Sequence, residues 1–363
     1  MHKRILYCVL DWGLGHATRS IPIIRALLDR GYEVILASDN LALDFLRTEF
    51  PSLTSYKLPS YNVEYLAENL FLNGIYNLKR IRSAIKAEHA LTRHIAKKDK
   101  IDAIISDNRY GCHVAGLPSV MVTHQLQFRT GNTLQDRIGK MLISKLLKSF
   151  DHIWIPDDEE RTLSGVLSMS GESRVKCIGW QSTLVSSSSS MEMHQNKRNE
   201  ARKEYIIAAI LSGPEPMRTT LEVEIRRQLE TLDAKCALVR GVKGSPEARQ
   251  EGNITVYDTL DRTEVGHLIN STSVIVCRSG YSSLMDLQTT GKKALLIPTP
   301  GQPEQKYLAE RMRSIPNYVV QEQGELDIKS AMDRLANINS TNPGTVSSYL
   351  LDNAIKNLFK NTS

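Results

Sequence analysis

The sequence predicts an α/β protein built from two Rossmann-like domains, each with a parallel sheet covered by helices. Short, β-branched apolar runs, the first at Arg4–Leu10 and the second at Glu33–Ala37, alternate with segments whose apolar residues recur at helical spacing. Several of these runs end in a glycine-containing or polar turn. The alternation stops at a serine run, Ser186–Ser190, and then starts again. A chain of 363 residues, of which 41% are hydrophobic, can bury two such cores.

The first predicted turn carries a histidine directly after its second glycine. The strand Arg4–Leu10 runs into the loop Asp11–His16, and a helix follows in which Ile21 and Ile24 recur at helical spacing. A dinucleotide-binding turn needs the pattern G-x-G-x-x-G, and the third glycine is absent here. The loop therefore argues against a nicotinamide cofactor. Two interpretations of His16 stay open, a solvated or capping residue at a helix start and a functional group.

Two later strands of the first domain are predicted to end in polar residues. They cover 102–106 and 118–122, and the helical segment Tyr65–Lys98 before them is predicted to cover the sheet. Ligands of open parallel sheets bind beyond the carboxyl ends of the strands, so polar residues at these two ends are candidate contacts for a substrate. A structural role stays open for each of them. The candidates are Asp107, Arg109, His124 and Gln125.

A change of composition marks the predicted domain boundary. The serine run Ser186–Ser190 and the polar stretch Met191–Lys203 suit a flexible crossover better than a packed element. We therefore predict a first domain at 1–180, a serine-rich linker at 181–204, a second domain at 205–340, and a C-terminal helix or tail at 341–363.

The second domain repeats the succession of strands and polar turns. Strands are predicted at 205–211, 236–239 and 254–257, and the first of them runs into a glycine turn that mirrors the loop of the first domain. The candidate residues after these three strands are Ser212 and Gly213, then Arg240, then the loop that contains Leu260.

The next turn combines a strand end with a helix start. The strand Ser273–Cys277 is interrupted by Gly280, and a helix then begins, so backbone N–H groups and the hydroxyls of Ser282 and Ser283 can face an anion. A pyrophosphate fits such a turn. Asp286, about one turn further along, can accept both hydrogen bonds of a ribose diol.

A second polar loop follows the predicted strand Ala294–Pro298. Gly291 is placed to end the preceding helix, and the loop Thr299–Gln305 is rich in proline and in groups that could bind sugar hydroxyls. Either loop taken alone is compatible with an ordinary connection between strand and helix. The two in succession favour a nucleotide-diphosphate site.

These segments resemble a known family. RSGYSSLMDL…GKKALLIPTPGQPEQKYLA resembles the donor-site signature of glycosyltransferase family 28, the family of the peptidoglycan UDP-N-acetylglucosaminyltransferase, and GLGHATRSIPI resembles its amino-terminal glycine loop. The resemblance covers most of Arg4–Arg311. It implies the GT-B fold, in which two Rossmann-like domains face each other across an interdomain cleft.

The resemblance also implies roles for individual residues. The serine-glycine turn would hold the donor diphosphate, Asp286 the ribose and Gln305 the donor sugar. Lys306 stands where the peptidoglycan enzyme carries a second glutamine, which leaves the identity of the sugar open. The predicted donor-binding residues are Gly15, Ser212, Gly213, Arg240, Leu260, Arg278, Ser279, Gly280, Tyr281, Ser282, Ser283, Asp286, Gln302 and Gln305.

We therefore expect an inverting glycosyltransferase that moves a sugar from a nucleotide-diphosphate donor, a UDP-sugar, to an acceptor hydroxyl of a glycan or a lipid-linked cell-envelope molecule. His16 is the first candidate for the base that removes the acceptor proton, with Asp107 and His124 as the other candidates. The helix start would stabilise the leaving diphosphate, so neither a metal nor a cofactor besides the nucleotide sugar is expected. A sugar-nucleotide 2-epimerase and a non-catalytic nucleotide-sugar-binding subunit stay open as alternatives.

Composition predicts a cytoplasmic protein that does not bind nucleic acid. No apolar run approaches the ~20 residues that span a bilayer, and the amino terminus lacks a signal-peptide pattern. The net charge of +6 comes without a nucleic-acid motif, and the five cysteines lack metal-ligand spacing. The segment Ile138–Phe150 is basic and amphipathic. It predicts either peripheral contact with the inner face of the membrane or a helix packed on the sheet.

Overall fold

The chain forms two compact units. The computed structural model describes residues 2–61, 70–184, 204–338 and 348–360. The first unit comprises residues 1–182 together with 346–363, and the second comprises residues 183–345. Most of the predicted linker, including the serine run, lies outside the described residues. The same holds for residues 65–69 of the predicted helix 65–98 and for part of the predicted tail.

The first unit is a parallel sheet with helices between its strands. Its strands are β1 (Arg4–Val9), β2 (Glu33–Ser38), β3 (Ser55–Lys57), β4 (Ala103–Asp107), β5 (Ser119–Val122), β6 (His152–Ile155) and β7 (Val175–Cys177). Its helices include α1 (Leu14–Leu28), α2 (Asn40–Glu49), α3 (Leu70–Lys98) and α4 (Thr133–Leu147).

The order of the strands creates a switch point between β1 and β4. The order is β3-β2-β1-β4-β5-β6-β7, so the chain winds outward from β1 to β3 and then returns to the other side of β1. Val9, at the end of β1, pairs with Asp107, at the end of β4. The loop after β1 and the residues after β4 therefore meet at one edge of the sheet, where open α/β sheets bind their ligands.

The continuous apolar runs of the sequence arise because both faces of this sheet are covered. Ile5, Tyr7 and Val9 of β1 pack into the core on one face, and Leu6 and Cys8 pack into the core on the other. A strand that is buried on both sides needs apolar residues at every position. This is why the strong strand signals of the sequence were correct.

The second unit has the same plan with one antiparallel edge strand. Its strands are β8 (Tyr205–Ile210), β9 (Cys236–Val239), β10 (Arg249–Glu251), β11 (Ile254–Tyr257), β12 (Thr272–Cys277), β13 (Lys293–Leu296) and β14 (Tyr318–Val320). Its helices include α5 (Met217–Leu229), α6 (Arg262–Ser271), α7 (Tyr281–Thr290), α8 (Pro303–Met312) and α9 (Ile328–Ala336). The order β10-β11-β9-β8-β12-β13-β14 places its switch point between β8 and β12, and among its described strands only β10 pairs antiparallel.

The C-terminal helix α10 (Ser348–Asn357) belongs to the first unit. Its Leu351, Ala354 and Ile355 join the core that contains Ile24 and Leu27 of α1. Helix α10 therefore packs into the same core as helix α1.

The predicted α/β class with two Rossmann-like halves is confirmed. Gly291 ends α7 in the left-handed conformation, with φ of 63°. The short strands β3, β10 and β14 were not predicted, because three residues give too little periodicity to detect. β10 is in addition exposed at every position and so carries no apolar signal.

Candidate active site

The switch point of the first unit brings two predicted catalytic residues together. His16 lies in the first turn of α1, and Asp107 is the last residue of β4. Nδ1 of His16 and Oδ1 of Asp107 are 2.7 Å apart. The side chain of Asp107 is fully buried, whereas that of His16 keeps 15% of its surface exposed. The pair is thus an oriented imidazole that a substrate can reach.

Arg19, which was not among the predicted site residues, joins this pair to His124. Its Nε donates to Oδ2 of Asp107 at 2.7 Å, and its Nη2 contacts Oδ1 of the same carboxylate. Its Nη1 lies 3.2 Å from Nδ1 of His124. The three predicted catalytic residues therefore surround one buried guanidinium. The i, i+3 spacing of His16 and Arg19 on one helix face was the sequence signal that could have revealed it.

Burial and Arg19 set the protonation of this cluster. Burial raises the pKa of the Asp107 carboxyl, but the Arg19 guanidinium and His16 oppose it and hold that pKa well below its usual range. Burial and the Arg19 cation lower the pKa of His16, and Asp107 offsets only part of this effect. At neutral pH the carboxylate is charged and the imidazole is neutral, which is the state that a general base needs.

Arg109 does not belong to this cluster. It was predicted as a substrate contact, yet its side chain is fully buried and forms ion pairs with Asp39 and Glu88. Its Nε donates to the carbonyl of Val9 at 2.7 Å. The guanidinium thus ties the end of β1 to α3 and to the end of β2, which is a structural role. Gln125 is half-buried beside this region, and its backbone N–H donates to a neighbouring hydroxyl.

The switch point of the second unit lies between Gly213 and Arg278. Gly213 sits in the exposed turn after β8 with φ of 114°, a conformation that favours glycine. A Cβ placed on Gly213 would lie 3.9 Å from Nε of Arg278, after β12, and 3.8 Å from Oγ1 of Thr299, after β13. Three adjacent strand ends therefore meet here, and Ser212 lies in the same exposed turn.

Arg278 is a buried cation that forms no ion pair with a carboxylate of the described residues. Its Nη1 donates to the carbonyl of Pro298 at 3.2 Å, and its Nη2 donates to the carbonyl of Met217 at 3.0 Å and to Oε1 of Gln323 at 2.7 Å. Its Nε is buried and makes no hydrogen bond. Burial lowers its pKa to about 10, so it is charged at neutral pH. A desolvated positive charge with one unused N–H suits an anionic ligand.

The start of α7 adds donors at the same edge. Gly280 is the N-cap residue and supplies no side chain to accept from the first N–H groups of the helix. Ser282 and Ser283 are half-buried in the first turn, and Tyr281 is buried. The positive end of the helix and the buried guanidinium thus both attract an anion.

The loop after β13 is held in place by Gln305. Its Oε1 accepts from the backbone N–H and from Oγ1 of Thr299, both at 2.9 Å, and its Nε2 donates to Oε1 of Gln302 at 2.7 Å. The hydroxyl of Ser279 donates to the carbonyl of Gln305 at 2.8 Å. The two predicted donor loops are therefore bonded to each other. The sugar-binding role of Gln302 and Gln305 stays a prediction.

Asp286 is paired with Arg262, which was not predicted. Nη1 of Arg262 donates to Oδ2 of Asp286 at 2.8 Å, and Nη2 contacts the other oxygen. Nε of Arg262 donates to Oγ1 of Thr183 at 2.6 Å. A carboxylate oxygen has two lone pairs, so a ribose diol could bind beside the guanidinium or replace it.

Arg240 belongs to an ion network. Its Nε donates to Oε1 of Glu222 at 2.7 Å and its Nη1 to Oδ1 of Asp258 at 2.9 Å. These bonds raise the pKa of Arg240, so the guanidinium stays charged. Its Nε and Nη1, however, already donate to Glu222 and Asp258. Leu260 is half-buried in the loop that follows Asp258. A direct contact of Arg240 with a diphosphate would require it to leave one of these partners.

Gly15, the remaining predicted donor contact, belongs to the first unit. It lies next to His16 in the first turn of α1, and its carbonyl accepts from Oγ1 of Thr18 at 3.2 Å. Over the part of the chain that the structure describes, no three His, Cys, Asp or Glu side chains are placed so that they could hold a metal ion.

Comparison with known proteins finds a family match in the second unit. Residues 239–343 match the glycosyltransferase family 28 C-terminal domain, a range that includes Arg278, the start of α7 and the loop after β13. Over this range the chain resembles glycosyltransferase family 28. A curated relative, the UDP-N-acetylglucosamine--N-acetylmuramyl-(pentapeptide) pyrophosphoryl-undecaprenol N-acetylglucosamine transferase of Sulfurihydrogenibium sp. (strain YO3AOP1), is 32% identical over 91 residues. Those residues are 25% of this chain and 25% of the relative, so the match spans about a quarter of that protein.

Solved structures resemble the family 28-like chain over nearly its whole length. The glycotransferase of kitacinnamycin aligns with a TM-score of 0.66 at 15% identity, covering 99% of this chain and 95% of that one. The spinosyn rhamnosyltransferase SpnG, solved in complex with thymidine diphosphate, aligns with a TM-score of 0.59 at 14% identity, covering 97% and 94%. At these identities the likeness shows the fold. The predicted GT-B fold and family resemblance are confirmed, and the predicted enzyme class, a glycosyltransferase, agrees with the family match.

Proposed function

We propose that this family 28-like chain is an inverting glycosyltransferase that moves a sugar from a UDP-sugar to an acceptor hydroxyl. The observation that carries the proposal is the second switch point, where Arg278 has a buried Nε without a hydrogen bond beside the Gly213 turn and the start of α7. A diphosphate supplies the negative charge and the acceptor oxygens that this arrangement lacks.

The groups that bind the diphosphate of the donor also stabilise it as it leaves. When the bond between the anomeric carbon and the diphosphate breaks, negative charge develops on the diphosphate oxygen. The N–H groups at the start of α7 and the Arg278 guanidinium are fixed before the reaction, so they stabilise this charge without reorganising. In this proposal the nucleotide sugar is a substrate, and no further cofactor takes part.

His16 supplies the base for the other half of the reaction. The acceptor oxygen attacks the anomeric carbon on the side opposite to the diphosphate, and its proton passes to Nε2 of His16. Asp107 accepts from Nδ1 of the same ring at 2.7 Å and stabilises the imidazolium that forms. Attack from the opposite side inverts the configuration at the anomeric carbon.

The residues next to His16 favour an acceptor with an apolar part. Trp12 is 51% exposed and Leu14 is also exposed, although both are large apolar side chains. The ring of Trp12 packs edge-on against Tyr61 with 6.0 Å between the centroids, which holds it in place. Exposed apolar side chains grouped beside a reactive residue are typical of a binding surface. A lipid-linked glycan combines the required hydroxyl with such an apolar part.

Helix α4 supports contact of this chain with a membrane surface. Gly139, Ile143 and Leu147 are buried on one side of the helix, whereas Leu134 and Met141 are each 65% exposed. At 100° per residue the exposed pair lies almost opposite the buried set. The helix therefore has two apolar sides, of which the fold covers one.

Only part of the predicted amphipathic segment Ile138–Phe150 is exposed. Met141 and Leu142 are exposed, but Leu146 is half-buried and Phe150 is buried in the core. Exposed basic residues lie on and beside this uncovered side, as an anionic lipid surface requires. They are Arg137, Lys140, Lys145 and Lys148. No helix in the described ranges is long and apolar enough to cross a membrane, so the proposed contact is peripheral.

Vesicle flotation tests the membrane contact. We expect the chain to float with anionic vesicles at low salt and not with neutral ones. Changing Lys140, Lys145 and Lys148 to Glu should reduce binding by about 1 kcal/mol or more for each lysine. Lys100→Glu, at another exposed position of the first unit, is the matched control. Equal flotation of the triple variant and the wild type would rule out α4 as the contact.

A donor screen tests the proposed reaction. Purified protein is incubated with a panel of UDP-sugars and dTDP-sugars, with and without a cell-lipid extract, and nucleoside diphosphate release and sugar products are measured. We expect UDP release that depends on the extract and a glycosylated lipid product. An epimerised nucleotide sugar would instead identify a 2-epimerase. Tight UDP binding without transfer to any acceptor would identify a non-catalytic subunit.

A further inference from the structure

The two histidines of the first unit contact the same guanidinium through the same ring atom. Nη2 of Arg19 lies 2.9 Å from Nδ1 of His16, and Nη1 lies 3.2 Å from Nδ1 of His124. We propose that Arg19 is a positioning residue that, together with Asp107, fixes His16 and His124 in opposite neutral tautomers, so that only His16 offers a lone pair on Nε2 to the proton of the acceptor hydroxyl. The proton-accepting task of His16 rests on the proposed glycosyl transfer.

The tautomer of His124 follows from the chemistry of arginine. A guanidinium only donates hydrogen bonds, so the contact of Nη1 with Nδ1 of His124 requires a lone pair on Nδ1. A neutral imidazole with a lone pair on Nδ1 carries its proton on Nε2. His124 therefore presents an N–H group on the side of the ring away from Arg19.

The tautomer of His16 is decided by a competition at its Nδ1. Oδ1 of Asp107, which only accepts, and Nη2 of Arg19, which only donates, both lie within hydrogen-bond distance of this one atom. Nη2 already has Oδ1 of Asp107 as an acceptor. A lone pair on Nδ1 would face the carboxylate at 2.7 Å without a proton between them. The proton therefore lies on Nδ1 and points to Asp107, which leaves the lone pair of His16 on Nε2.

The groups around the two rings keep this arrangement electrically balanced. Arg19 and Asp107 carry opposite charges and are both buried. The hydroxyl of Ser20 donates to the carbonyl of His16 at 2.8 Å and lies 3.4 Å from Oδ2 of Asp107. Burial raises the pKa of the nearby Tyr7 hydroxyl far above its usual value, so Tyr7 is neutral. The charges of Arg19 and Asp107 that face the rings thus cancel.

The difference between the rings assigns them different tasks. Nε2 of His16 accepts, so it can take the hydroxyl proton that must leave. Nε2 of the buried His124 carries a proton and does not compete for it. Without Arg19, Asp107 would still hold the proton on Nδ1 of His16, but the ring of His124 would be free to exchange tautomers.

Nitrogen NMR of the histidine side chains tests this arrangement without substrate. Protein labelled with ¹⁵N-histidine is measured near pH 7.5, and the signals of His16 and His124 are assigned with His16→Gln and His124→Gln variants. We expect a protonated Nδ1 in His16 and a protonated Nε2 in His124. The same tautomer in both rings, or rapid exchange in either, would overturn the proposal. Opposite tautomers in a protein that transfers no sugar would contradict the proposed function but not the arrangement.

Two variants of Arg19 separate its charge from its geometry. Arg19→Lys keeps the charge but replaces the fork by one ammonium group, which cannot bond the carboxylate and His124 in the same way. We expect His124 to lose its fixed tautomer and kcat to fall about 10-fold to 100-fold, less than the loss of the base itself, with KM for the donor unchanged.

The double variant Arg19→Met with Asp107→Asn removes both buried charges together, so no unpaired charge is left in the core. We expect the acidic limb of its kcat profile to move up toward about pH 6.5, the ordinary pKa of histidine. Arg25→Met, an exposed arginine on the same helix that pairs with Glu49, is the matched control. Melting curves confirm that each variant folds. A wild-type kcat in Arg19→Lys, or a change in KM alone, would show that Arg19 does not act through the rings.

Discussion

The two switch points share one geometry and differ in charge. In the first unit the buried Arg19 is matched by Asp107, and all three of its nitrogen atoms contact the cluster. In the second unit the buried Arg278 has no carboxylate partner among the described residues, and its Nε makes no hydrogen bond. The charges of the first site are balanced and suit proton transfer, whereas the second site is positive and suits an anion. The proposed glycosyl transfer needs both tasks, and we assign one to each unit.

The unmatched charge has a physical cost that a ligand removes. A buried guanidinium without a counter-charge destabilises the free protein, while a bound diphosphate neutralises it. A ligand that binds only the folded state also stabilises that state by mass action. The same reasoning predicts little stabilisation from an anion at the first site, where Arg19 and Asp107 already balance.

The largest effect is expected from the first site, on the chemical step alone. His16→Ala should lower kcat by about 10²–10⁴-fold, because the acceptor proton loses its base, while the affinity for UDP stays the same. Steady-state kinetics and calorimetry with UDP measure the two quantities separately. His94→Ala, which removes an exposed histidine of α3, is the control. Equal turnover in His16→Ala and the control would remove His16 from the mechanism.

The next effect is expected at the second site, on binding. Arg278→Met should weaken UDP binding by about 1.5–3 kcal/mol, which is the range for a hydrogen bond to a charged group. Arg278→Lys should recover part of this loss, since the charge stays but the Nε–H is gone. Unchanged UDP affinity in a folded Arg278→Met protein would mean that the unbonded Nε does not serve the donor.

A smaller effect is expected from the ribose contact. Asp286→Ala should cost about 1–3 kcal/mol of UDP binding through one or two lost hydrogen bonds. The variant also frees Arg262, whose new charge could attract the diphosphate and hide part of the loss. We therefore compare it with Arg262→Ala and with the double variant. If UDP affinity is the same in all three proteins and the wild type, Asp286 holds Arg262 and not the ribose.

The smallest change is expected in the pH profile. Burial and Arg19 lower the pKa of His16 below its ordinary value of about 6.5. The base is lost when the ring protonates, so the acidic limb of kcat should lie below pH 6.5 and turnover should be flat above it until another group titrates. An acidic limb above pH 6.5 would show that Asp107 raises the pKa of His16 by more than burial and Arg19 lower it.

The sequence predicted the backbone positions of the candidate residues better than the partners of their side chains. The strand ends, the glycine at the end of α7 and the serine-glycine turn follow from apolar runs and turn residues, and they lie where expected. Arg109 and Arg19 show the limit. Both lie near a strand end of the first sheet, yet Arg109 folds back onto Asp39 and Glu88 while Arg19 reaches Asp107 and His124. Which carboxylate an arginine reaches depends on tertiary packing that a linear pattern does not contain.

The same limit explains the partners of Asp286 and Arg240. The spacing after the glycine turn predicted a carboxylate one helical turn into α7, and it is there. Its partner Arg262 comes from α6, and the partners of Arg240 come from α5 and from the loop after β11. These pairs join elements that are far apart in the sequence, so only the folded chain reveals that both residues are already occupied.

A crystal structure with UDP bound tests the division of tasks most directly. We predict diphosphate oxygens at about 3 Å from Nε of Arg278 and from N–H groups in the first turn of α7, with the cluster around Arg19 unchanged. A diphosphate bound by His16 and Arg19, or an Nε of Arg278 that is still without a partner in the complex, would contradict the account.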